Sequence, residues 1–283
     1  MKLVAEIKAR SREVEQAGGR VPVLPVAEEL ALAREGGFSQ KEIQLAALGA
    51  GILPARYLRN LGTVGLAGQE TLLRACVAVV GAGGLGGWII ELLTRMGVGR
   101  LIVIDGDSFD DNNLNRQLLA TQQNLGQAKA LAAKERAAQL NGAVTVAAHV
   151  VWLTGENARE YLAPAQVIVD ALDNLPARFL LQEAAGELGL PLVHGAIAGY
   201  QGQVMTIFPG DPGLDLLYPQ GQAGRDRGVE VQLGNPAATP AMVAAWQVQE
   251  TIKILLGQGE PLRNRLLYLD ALGGTAEIIQ LLP

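Results

Sequence analysis

A glycine-rich turn between a predicted strand and a predicted helix is the clearest chemical signal in this sequence. The apolar run CVAVV (76–80) leads directly into GAGGLG (81–86), where an amphipathic segment starts. Glycines permit a tight turn and a close approach of the backbone, so free N–H groups at the helix N-terminus can face a phosphate. Asp105 ends the next predicted strand, where a carboxylate would bind ribose hydroxyls. The glycines assigned to the predicted nucleotide site are Gly81, Gly83, Gly84 and Gly86.

Two cations follow Asp105 along the chain. Arg116 lies in a segment rich in Asn and Asp, and Lys129 opens the next predicted helix. Cations beside a triphosphate neutralise charge on a leaving pyrophosphate, whereas hydride transfer does not need them. Either residue alone would be read as a solvated surface charge. Their register with Asp105 favours ATP over a nicotinamide nucleotide.

Composition and charge exclude several other classes of protein. The chain has 283 residues, with 23 Lys and Arg against 28 Asp and Glu, so a net charge of -5 gives no general attraction for nucleic acid or an anionic membrane. Glycine, proline and polar residues interrupt the longest uncharged stretch, 188–210, so we expect no transmembrane helix. The charged N-terminus lacks the apolar core of a secretory signal, which predicts a cytoplasmic protein.

Short apolar runs alternate with helical segments from residue 76 onwards, which is typical of a parallel α/β sheet. Predicted strands at 202–208, 266–270 and 276–282 then pair antiparallel, the last two joined at Gly273-Gly274. Between the first two of these strands we predict a helix that has Thr239 at its N-cap and ends at Gly257. The predicted fold class is therefore α/β, with a Rossmann-like mixed sheet that is parallel in its N-terminal part and antiparallel in its C-terminal part. The predicted parallel strands are 76–80, 101–104, 144–151, 167–172 and 191–195, and the crossover helices are 85–96, 127–140, 157–162 and 176–188.

Residues 1–55 are predicted to form a helical extension before the main domain, 56–283. Helices are expected over 2–15 and 26–34, and a third begins at the capping box of Ser39 and Glu42. Two short helices around Gly36-Gly37 also fit a DNA-binding helix-turn-helix. Residues 1–56 carry 8 Lys and Arg against 7 Asp and Glu, which gives no basic footprint and favours packing on the main domain.

Six motifs stand in an order that resembles a known enzyme family. They are RYLRN (56–60), GAGGLG (81–86), DGD (105–107), NLNRQ (113–117), GQAK (126–129) and DALDN (170–174). The sequence resembles the ubiquitin-activating-enzyme-like adenylyltransferases of the ThiF/MoeB/HesA family over Arg56 to Pro283. Members of that family bind Mg-ATP and transfer AMP to a carboxylate, commonly the Gly-Gly C-terminus of a small ubiquitin-like sulfur-carrier protein. The resemblance implies the same activity and the same kind of partner here.

The resemblance also implies a role for individual residues. Asp173 would hold Mg²⁺, and Arg59 would reach the ATP phosphates of the neighbouring subunit in a homodimer. Hard Mg²⁺ prefers carboxylate, water and phosphate oxygens, and in-line attack by a carboxylate needs charge neutralisation rather than a protein nucleophile. Asp105 and Asp107 would bind the nucleotide, with Asp105 on the ribose, and Asn113, Arg116, Gln117 and Lys129 would surround the phosphates. The predicted catalytic residues are Arg59, Arg116, Lys129 and Asp173.

The cysteine content departs from the family pattern. Many members carry two Cys-x-x-Cys pairs for a structural zinc, but Cys76 is the single cysteine here and the segment 211–232 has no cysteine or histidine. We therefore expect no zinc. Some relatives also use a downstream cysteine to take over the activated carrier, and Cys76 lies before the glycine turn instead. The predicted reaction stops at the acyl-adenylate.

Several residues are open to a structural interpretation. Asp170 is expected mainly to close a strand end, and His194 to be a core residue more readily than a substrate contact. The tryptophans Trp88, Trp152 and Trp246 are expected in the core. Two alternative functions are an NAD(P)-dependent oxidoreductase and a non-catalytic nucleotide-binding partner protein. The oxidoreductase leaves Arg59, Arg116, Lys129 and Asp173 unexplained, and loss of catalysis gives no reason to retain them all.

Overall fold

A mixed sheet of eight strands forms the centre of the protein. The computed structural model describes residues 2–16, 18–218 and 233–282. The strands are β1 (Arg12–Gln16), β2 (Gly19–Leu24), β3 (Leu53–Pro54), β4 (Cys76–Val80), β5 (Arg100–Ile104), β6 (Thr145–His149), β7 (Val167–Asp170), β8 (Leu192–Ala198), β9 (Gln201–Ile207), β10 (Arg265–Asp270) and β11 (Thr275–Gln280). The large sheet has the order β11-β10-β9-β8-β7-β4-β5-β6.

Strand direction divides this sheet into two parts. β8, β7, β4, β5 and β6 pair in parallel, and β8 to β11 pair antiparallel. Continuous apolar runs such as CVAVV and VIVD form the central strands because both faces of a parallel sheet are covered. The predicted mixed sheet is confirmed, and its predicted strands differ from the observed ones only at their ends.

Helices cover both faces of the sheet. They are α1 (Lys2–Arg10), α2 (Val26–Gly36), α3 (Gln40–Gly49), α4 (Leu61–Arg74), α5 (Gly84–Met96), α6 (Lys129–Leu140), α7 (Ala158–Leu162), α8 (Leu175–Leu188) and α9 (Ala238–Leu256). Alternate residues of β4 belong to two separate cores. Val77 and Val79 pack with α5, α6 and α9 on one face of the sheet. Ala78 and Val80 pack with α7 and α8 on the other face. Within the described residues, no helix has the length and apolar character to cross a bilayer.

The N-terminal segment is not wholly helical, which corrects the prediction. The predicted helix over 2–15 is wrong beyond Arg10, because β1 and β2 form an antiparallel hairpin there. β2 also pairs with β3, in parallel. The helix at 26–36 and the capping box of Ser39 and Glu42 are confirmed. The two helices around Gly36-Gly37 pack with α1, and Leu32, Ile43 and Ile7 of α1 form a separate small core. The domain boundary after residue 55 stays a prediction.

One further helix start differs from its prediction. α9 begins at Ala238, with Ala237 at its N-cap position, although Thr239 has the residue type of a cap. The Thr239 hydroxyl is buried and donates a hydrogen bond to the carbonyl of Gly199, 2.8 Å away. The helix ends at Gly257 in the left-handed conformation, as predicted.

A buried group of polar side chains joins the N-terminal segment to the main sheet domain. The Tyr57 hydroxyl donates to Gln44 Oε1 and accepts from Asn141 Nδ2, each at 2.9 Å. Gln44 Nε2 donates to Glu29 Oε1 at 2.8 Å, and burial raises the pKa of Glu29. The Arg56 guanidinium lies 3.7 Å from the same carboxylate. The first two residues of RYLRN therefore fix the position of the whole motif against α6.

We predict that Tyr57→Phe lowers the free energy of unfolding by about 1–3 kcal/mol, because the buried Gln44 oxygen then loses its donor. Urea unfolding measures this loss. Tyr161→Phe is the matched control, because the Tyr161 ring packs on His149 and its hydroxyl has no hydrogen bond within the described chain. The control should stay within about 0.5 kcal/mol of the wild type. Equal stabilities of the two variants would contradict this role of Tyr57.

Candidate active site

A cleft of about 610 Å³ opens at the carboxyl ends of the parallel strands. Its walls come from the turns after β4, β5, β6 and β7 and from β8, β9 and β10. Ligands of open α/β sheets bind at this edge, and the volume suits a nucleotide together with part of a second substrate. The strand order β5-β4-β7-β8-β9-β10 fixes the order of residues along the cleft.

The glycine turn brings the backbone into the cleft. Gly81 has φ +96°, and a Cβ there would lie 2.5 Å from the carbonyl oxygen of Ala171. A Cβ at Gly86 would overlap the carbonyl oxygen of Gly81. Gly81, Gly83 and Gly84 line the cleft, while Gly86 lies behind it. Gly86 therefore shapes the turn, and the other three glycines form its exposed surface.

Asp105 is fixed beside this turn by two backbone donors. Its Oδ2 accepts from the N–H of Ala82 at 2.6 Å and its Oδ1 from the N–H of Asp107 at 2.8 Å. Burial raises the pKa of the Asp105 carboxyl, and these two hydrogen bonds oppose that shift. Each carboxylate oxygen has a further lone pair for a hydroxyl donor. The position and the free lone pairs fit the predicted contact with ribose.

Lys129 places a positive charge on the same side of the cleft. Its side chain is only 8% exposed, and Nζ lies 2.6 Å from Asp107 Oδ2. Burial alone would raise the pKa of Asp107, but the hydrogen bond and charge of Lys129 outweigh it and lower that pKa. Asp107 is 54% exposed. The carboxylate thus holds the ammonium group at the cleft wall beside Asp105.

Arg116 and Gln117 lie beside the glycine turn and line the cleft. Arg116 Nη1 donates to the carbonyl of Asn112 at 2.8 Å, and its side chain passes within 3.9 Å of a Cβ built at Gly84. The Gln117 amide lies near Gly83, and its buried Oε1 has no partner in the described part of the chain. A buried polar atom without a partner is costly unless a ligand supplies one. Both residues therefore suit the phosphate region.

The predicted metal ligand Asp173 also lines the cleft. It follows β7, and its exposed carboxylate accepts only from Asn174 Nδ2, at 3.2 Å, among the described residues. No group of three or more metal-ligating acids, histidines or cysteines occurs in the described ranges. Mg²⁺ commonly takes one or two carboxylates, water and substrate phosphates, so one free carboxylate at this edge fits the ion. Residues 219–232 of the segment expected to lack zinc lie outside the described residues, and that expectation stays a prediction.

Besides Gly86, two predicted site residues lie outside the cleft lining of their own chain. Asn113 is buried, and its side chain caps the short turn Asp111–Asn113 by accepting from the N–H of Asp110 at 3.1 Å. This hydrogen bond explains the position of the Asn113 side chain without a contact to phosphate. Arg59 is exposed and does not line the cleft. Its side chain makes no hydrogen bond within the described chain.

Several cleft residues were missed or misread from the sequence. Trp152 was expected in the core but is 69% exposed at the cleft wall, with its indole ring against Gly106. Trp246 is 40% exposed, which also contradicts a core position, whereas Trp88 packs against the core. Arg178 in the first turns of α8 lines the cleft and donates to the carbonyl of Leu172 at 2.6 Å. A cation near a helix N-terminus is electrostatically unfavourable. The position of Arg178 was therefore the signal in the sequence that could have indicated a functional role.

Asp170 and His194 are buried beneath the cleft. His194 is fully buried, and its Nδ1 lies 2.7 Å from Asp170 Oδ2. Asp170 Oδ1 accepts from the N–H of Leu172 at 2.9 Å, in agreement with its expected role in closing the strand end. His194 Nε2 faces Gln203, and Gln203 contacts Tyr218. Gln203 and Tyr218 line the cleft and had no signal in the sequence beyond their polarity.

Comparison with known proteins identifies the family. The profile of the ThiF family matches residues 57–283. The chain belongs to the ThiF family. The sequence is 43% identical over 225 residues to the sulfur carrier protein adenylyltransferase of Thermus thermophilus, covering 77% of this chain and 83% of that protein. It is 38% identical over 226 residues to the SAMP-activating enzyme E1 of Haloferax volcanii, covering 79% and 84% of the two chains. The resemblance drawn from the six motifs is confirmed.

Two solved structures share the fold of this chain. The structure of Escherichia coli MccB with ATP superposes with a TM-score of 0.69 at 15% identity, covering 97% of this chain and 96% of that one. The structure of PaaA superposes with a TM-score of 0.68 at 20% identity, covering 80% and 82%. At these identities the likeness concerns the fold alone.

We predict that Gly86→Ala destabilises this ThiF-family chain by about 1–3 kcal/mol, because the new methyl group overlaps a backbone carbonyl that cannot rotate away. Thermal unfolding without ligand measures the effect. Gly84→Ala in the same helix turn is the control, since its Cβ would make only ordinary contacts, the nearest at 3.7 Å. Comparable losses for both alanines would contradict the packing role of Gly86.

Proposed function

We propose that this protein is an ATP-dependent adenylyltransferase that activates the C-terminal carboxylate of a small ubiquitin-like sulfur-carrier protein. A carboxylate oxygen attacks the α-phosphorus of ATP, a new phosphorus–oxygen bond forms, and the bond to the β-phosphate oxygen breaks. The products are an acyl-adenylate and pyrophosphate. The family match and the relatives named for sulfur-carrier and SAMP activation support this reaction.

The observation that carries the proposal is the position of Lys129. A nearly buried ammonium group is held by Asp107 beside the glycine turn and Asp105. Hydride transfer gives no role to a cation there, whereas a triphosphate needs one. Arg116 adds a second positive charge to the cleft lining, near Gly84. This distribution favours ATP over a nicotinamide nucleotide.

Asp173 is the proposed Mg²⁺ ligand. The bound ion would neutralise phosphate charge and help to orient the α-phosphate for in-line attack. Asp173 follows β7, which lies between β4 with its glycine turn and β8. The ion would therefore lie between the nucleotide and the acceptor, with Asp173 fixed at the N-terminus of α8.

The cleft beyond Asp173 is proposed to receive the acceptor tail. β8, β9 and β10 continue the wall there, with small residues Ala196, Ala198 and Gly202 and the ring of Tyr268. A narrow tail such as Gly-Gly can lie along small residues in extended form. This arrangement brings its terminal carboxylate towards the glycine turn.

Arg59 is proposed to complete the site of a partner subunit in a homodimer. The buried contacts of Arg56 and Tyr57 fix the RYLRN turn, while Arg59 points outward. A guanidinium that is exposed in one chain supplies phosphate contacts in a second chain at low desolvation cost. The active unit would then hold two equivalent sites related by symmetry.

We predict that Lys129→Ala and Asp173→Asn each slow ATP–pyrophosphate exchange by about a hundredfold, because each removes charge stabilisation from the transition state. Thermal unfolding with Mg-ATP, NAD⁺ and NADPH measures binding in parallel. Mg-ATP at a hundred times its Kd should stabilise the wild type by about 2.7 kcal/mol, and both substitutions should reduce that gain.

Lys134→Ala is the control for Lys129, because Lys134 lies on the same helix with an exposed side chain outside the cleft lining. It should exchange pyrophosphate at the wild-type rate. Stabilisation by a nicotinamide nucleotide without stabilisation by Mg-ATP would replace the proposal with an oxidoreductase.

We further predict that a mixture of two inactive variants regains activity. Arg59→Ala lacks the residue supplied to the partner, and Lys129→Ala lacks one inside the cleft. Random pairing of equal amounts leaves one intact site in half of the dimers, so about a quarter of wild-type activity should return after subunit exchange. A rate of ATP–pyrophosphate exchange in the mixture that equals the sum of the rates of the two separate variants would contradict a shared site.

A further inference from the structure

A buried chain of hydrogen bonds runs from the core below β7 to the acceptor half of the cleft. Asp170 Oδ2 lies 2.7 Å from His194 Nδ1 and 3.6 Å from Nε of the Arg178 guanidinium. His194 Nε2 lies 3.3 Å from Gln203 Nε2, and that nitrogen donates to the Tyr218 hydroxyl at 2.7 Å. The chain links three neighbouring strands, β7, β8 and β9.

The roles of donor and acceptor in this chain follow from its buried end. Asp170 is an acceptor beside Arg178, so the His194 nitrogen that faces it carries the hydrogen. Burial lowers the pKa of His194, which keeps the ring neutral, although Asp170 opposes that shift. A neutral ring with a hydrogen on Nδ1 has only a lone pair at Nε2. Gln203 must therefore turn its amide nitrogen, and not its oxygen, towards His194.

This assignment determines what Gln203 presents to the cleft. One amide hydrogen points to His194 and the other to the Tyr218 hydroxyl, so both donors are used. Gln203 Oε1 has no partner among the described residues, and the residue lines the cleft. The free group is thus a hydrogen-bond acceptor of fixed orientation.

The ligand of this oxygen must be a hydrogen-bond donor, either an N–H or an O–H group. A carboxylate or a phosphate offers only acceptors at neutral pH, and Gln203 has no donor left for either. The donors of a nucleotide are its adenine amino group and its ribose hydroxyls, and with the ribose at Asp105 on β5 they would be separated from β9 by β4, β7 and β8. An extended peptide offers a backbone N–H at every residue, and the cleft beside β8 and β9 is where the acceptor tail would lie.

We infer that Gln203 accepts a hydrogen bond from a backbone N–H near the C-terminus of the acceptor, and that His194 is the positioning residue that orients the Gln203 amide. This inference rests on the proposed function and adds to it a rule for substrate choice. The enzyme would require a secondary amide within the last residues of the tail. A tail with a methylated amide at that position would be rejected.

The test uses short synthetic peptides that end in Gly-Gly with a free carboxylate, together with three analogues that each carry one N-methyl group on one of the last three amides. ATP–pyrophosphate exchange gives kcat and KM for each peptide with the wild-type protein. One analogue should lose at least about tenfold in kcat/KM, since it lacks the donor that Gln203 needs. The other two analogues should lose less.

Gln203→Leu should remove this selectivity. Its kcat/KM for the parent peptide falls about tenfold, and the analogue that the wild type rejects becomes equivalent to the parent. The KM for ATP stays at the wild-type value, which shows that the variant is folded. His194→Phe should produce the same loss of selectivity, because Phe cannot accept from the Gln203 amide and leaves its orientation unfixed.

Gln201→Leu is the matched control. Gln201 lies two residues earlier on the same face of β9 and makes no side-chain hydrogen bond within the described chain. This variant should retain the full N-methyl selectivity. Equal selectivity of the wild type and Gln203→Leu would overturn the inference and leave the proposed function intact. Absence of exchange with every peptide, while Mg-ATP still stabilises the fold, would overturn both the inference and the proposed acceptor class.

Discussion

The parallel pairing of β5, β4 and β7 is the constraint on which the site depends. Val80 is in register with Ile104 on one side and with Asp170 on the other, so the three strands end at one edge. The turns that follow carry the glycines, Asp105 and Asp173. Because the strands are buried on both faces, a shift in register would place apolar residues at the edge and polar residues inside the core. Burial of the apolar strand residues thereby fixes the register of the sheet, and the register fixes the positions of Asp105 and Asp173 at its edge.

The sequence predicted this central region well because its signals are local. An apolar run, a glycine turn and a helix follow each other directly in the sequence. Residues close in the chain are enough to determine each of these elements. The hairpin of β1 and β2 was missed for the opposite reason. REVEQ has Val14 as its single apolar residue and follows a helix that is also rich in charged residues, so only its pairing with GRVPVL decides its structure. Thr239 and Trp152 were misassigned because a distant residue, Gly199 or Gly106, determines their place.

Two buried polar groups differ in what their hydrogen bonds achieve. In the group around Tyr57, the hydroxyl is satisfied from both sides, and the result is a rigid joint between the N-terminal segment and α6. In the chain from Asp170 to Gln203, both amide hydrogens of Gln203 are used, while its oxygen has no partner among the described residues. A buried polar chain is costly unless it is satisfied, so its open end is the place where a ligand contributes most. Neither group could be predicted from the sequence, since their members lie up to 97 residues apart.

The position of Cys76 bears on where the proposed reaction ends. Cys76 starts β4 and the glycine turn follows its other end, so about 13 Å of strand separates the thiol from the cleft. Burial raises the pKa of the thiol, which lowers its fraction of nucleophilic thiolate. The residue packs with Ala78 and Val80 in the core beneath α7 and α8. A side chain in that place cannot receive an acyl group from an adenylate formed at the opposite strand end. The proposed product therefore leaves this chain as an acyl-adenylate or reacts with a nucleophile that a second molecule brings to the cleft.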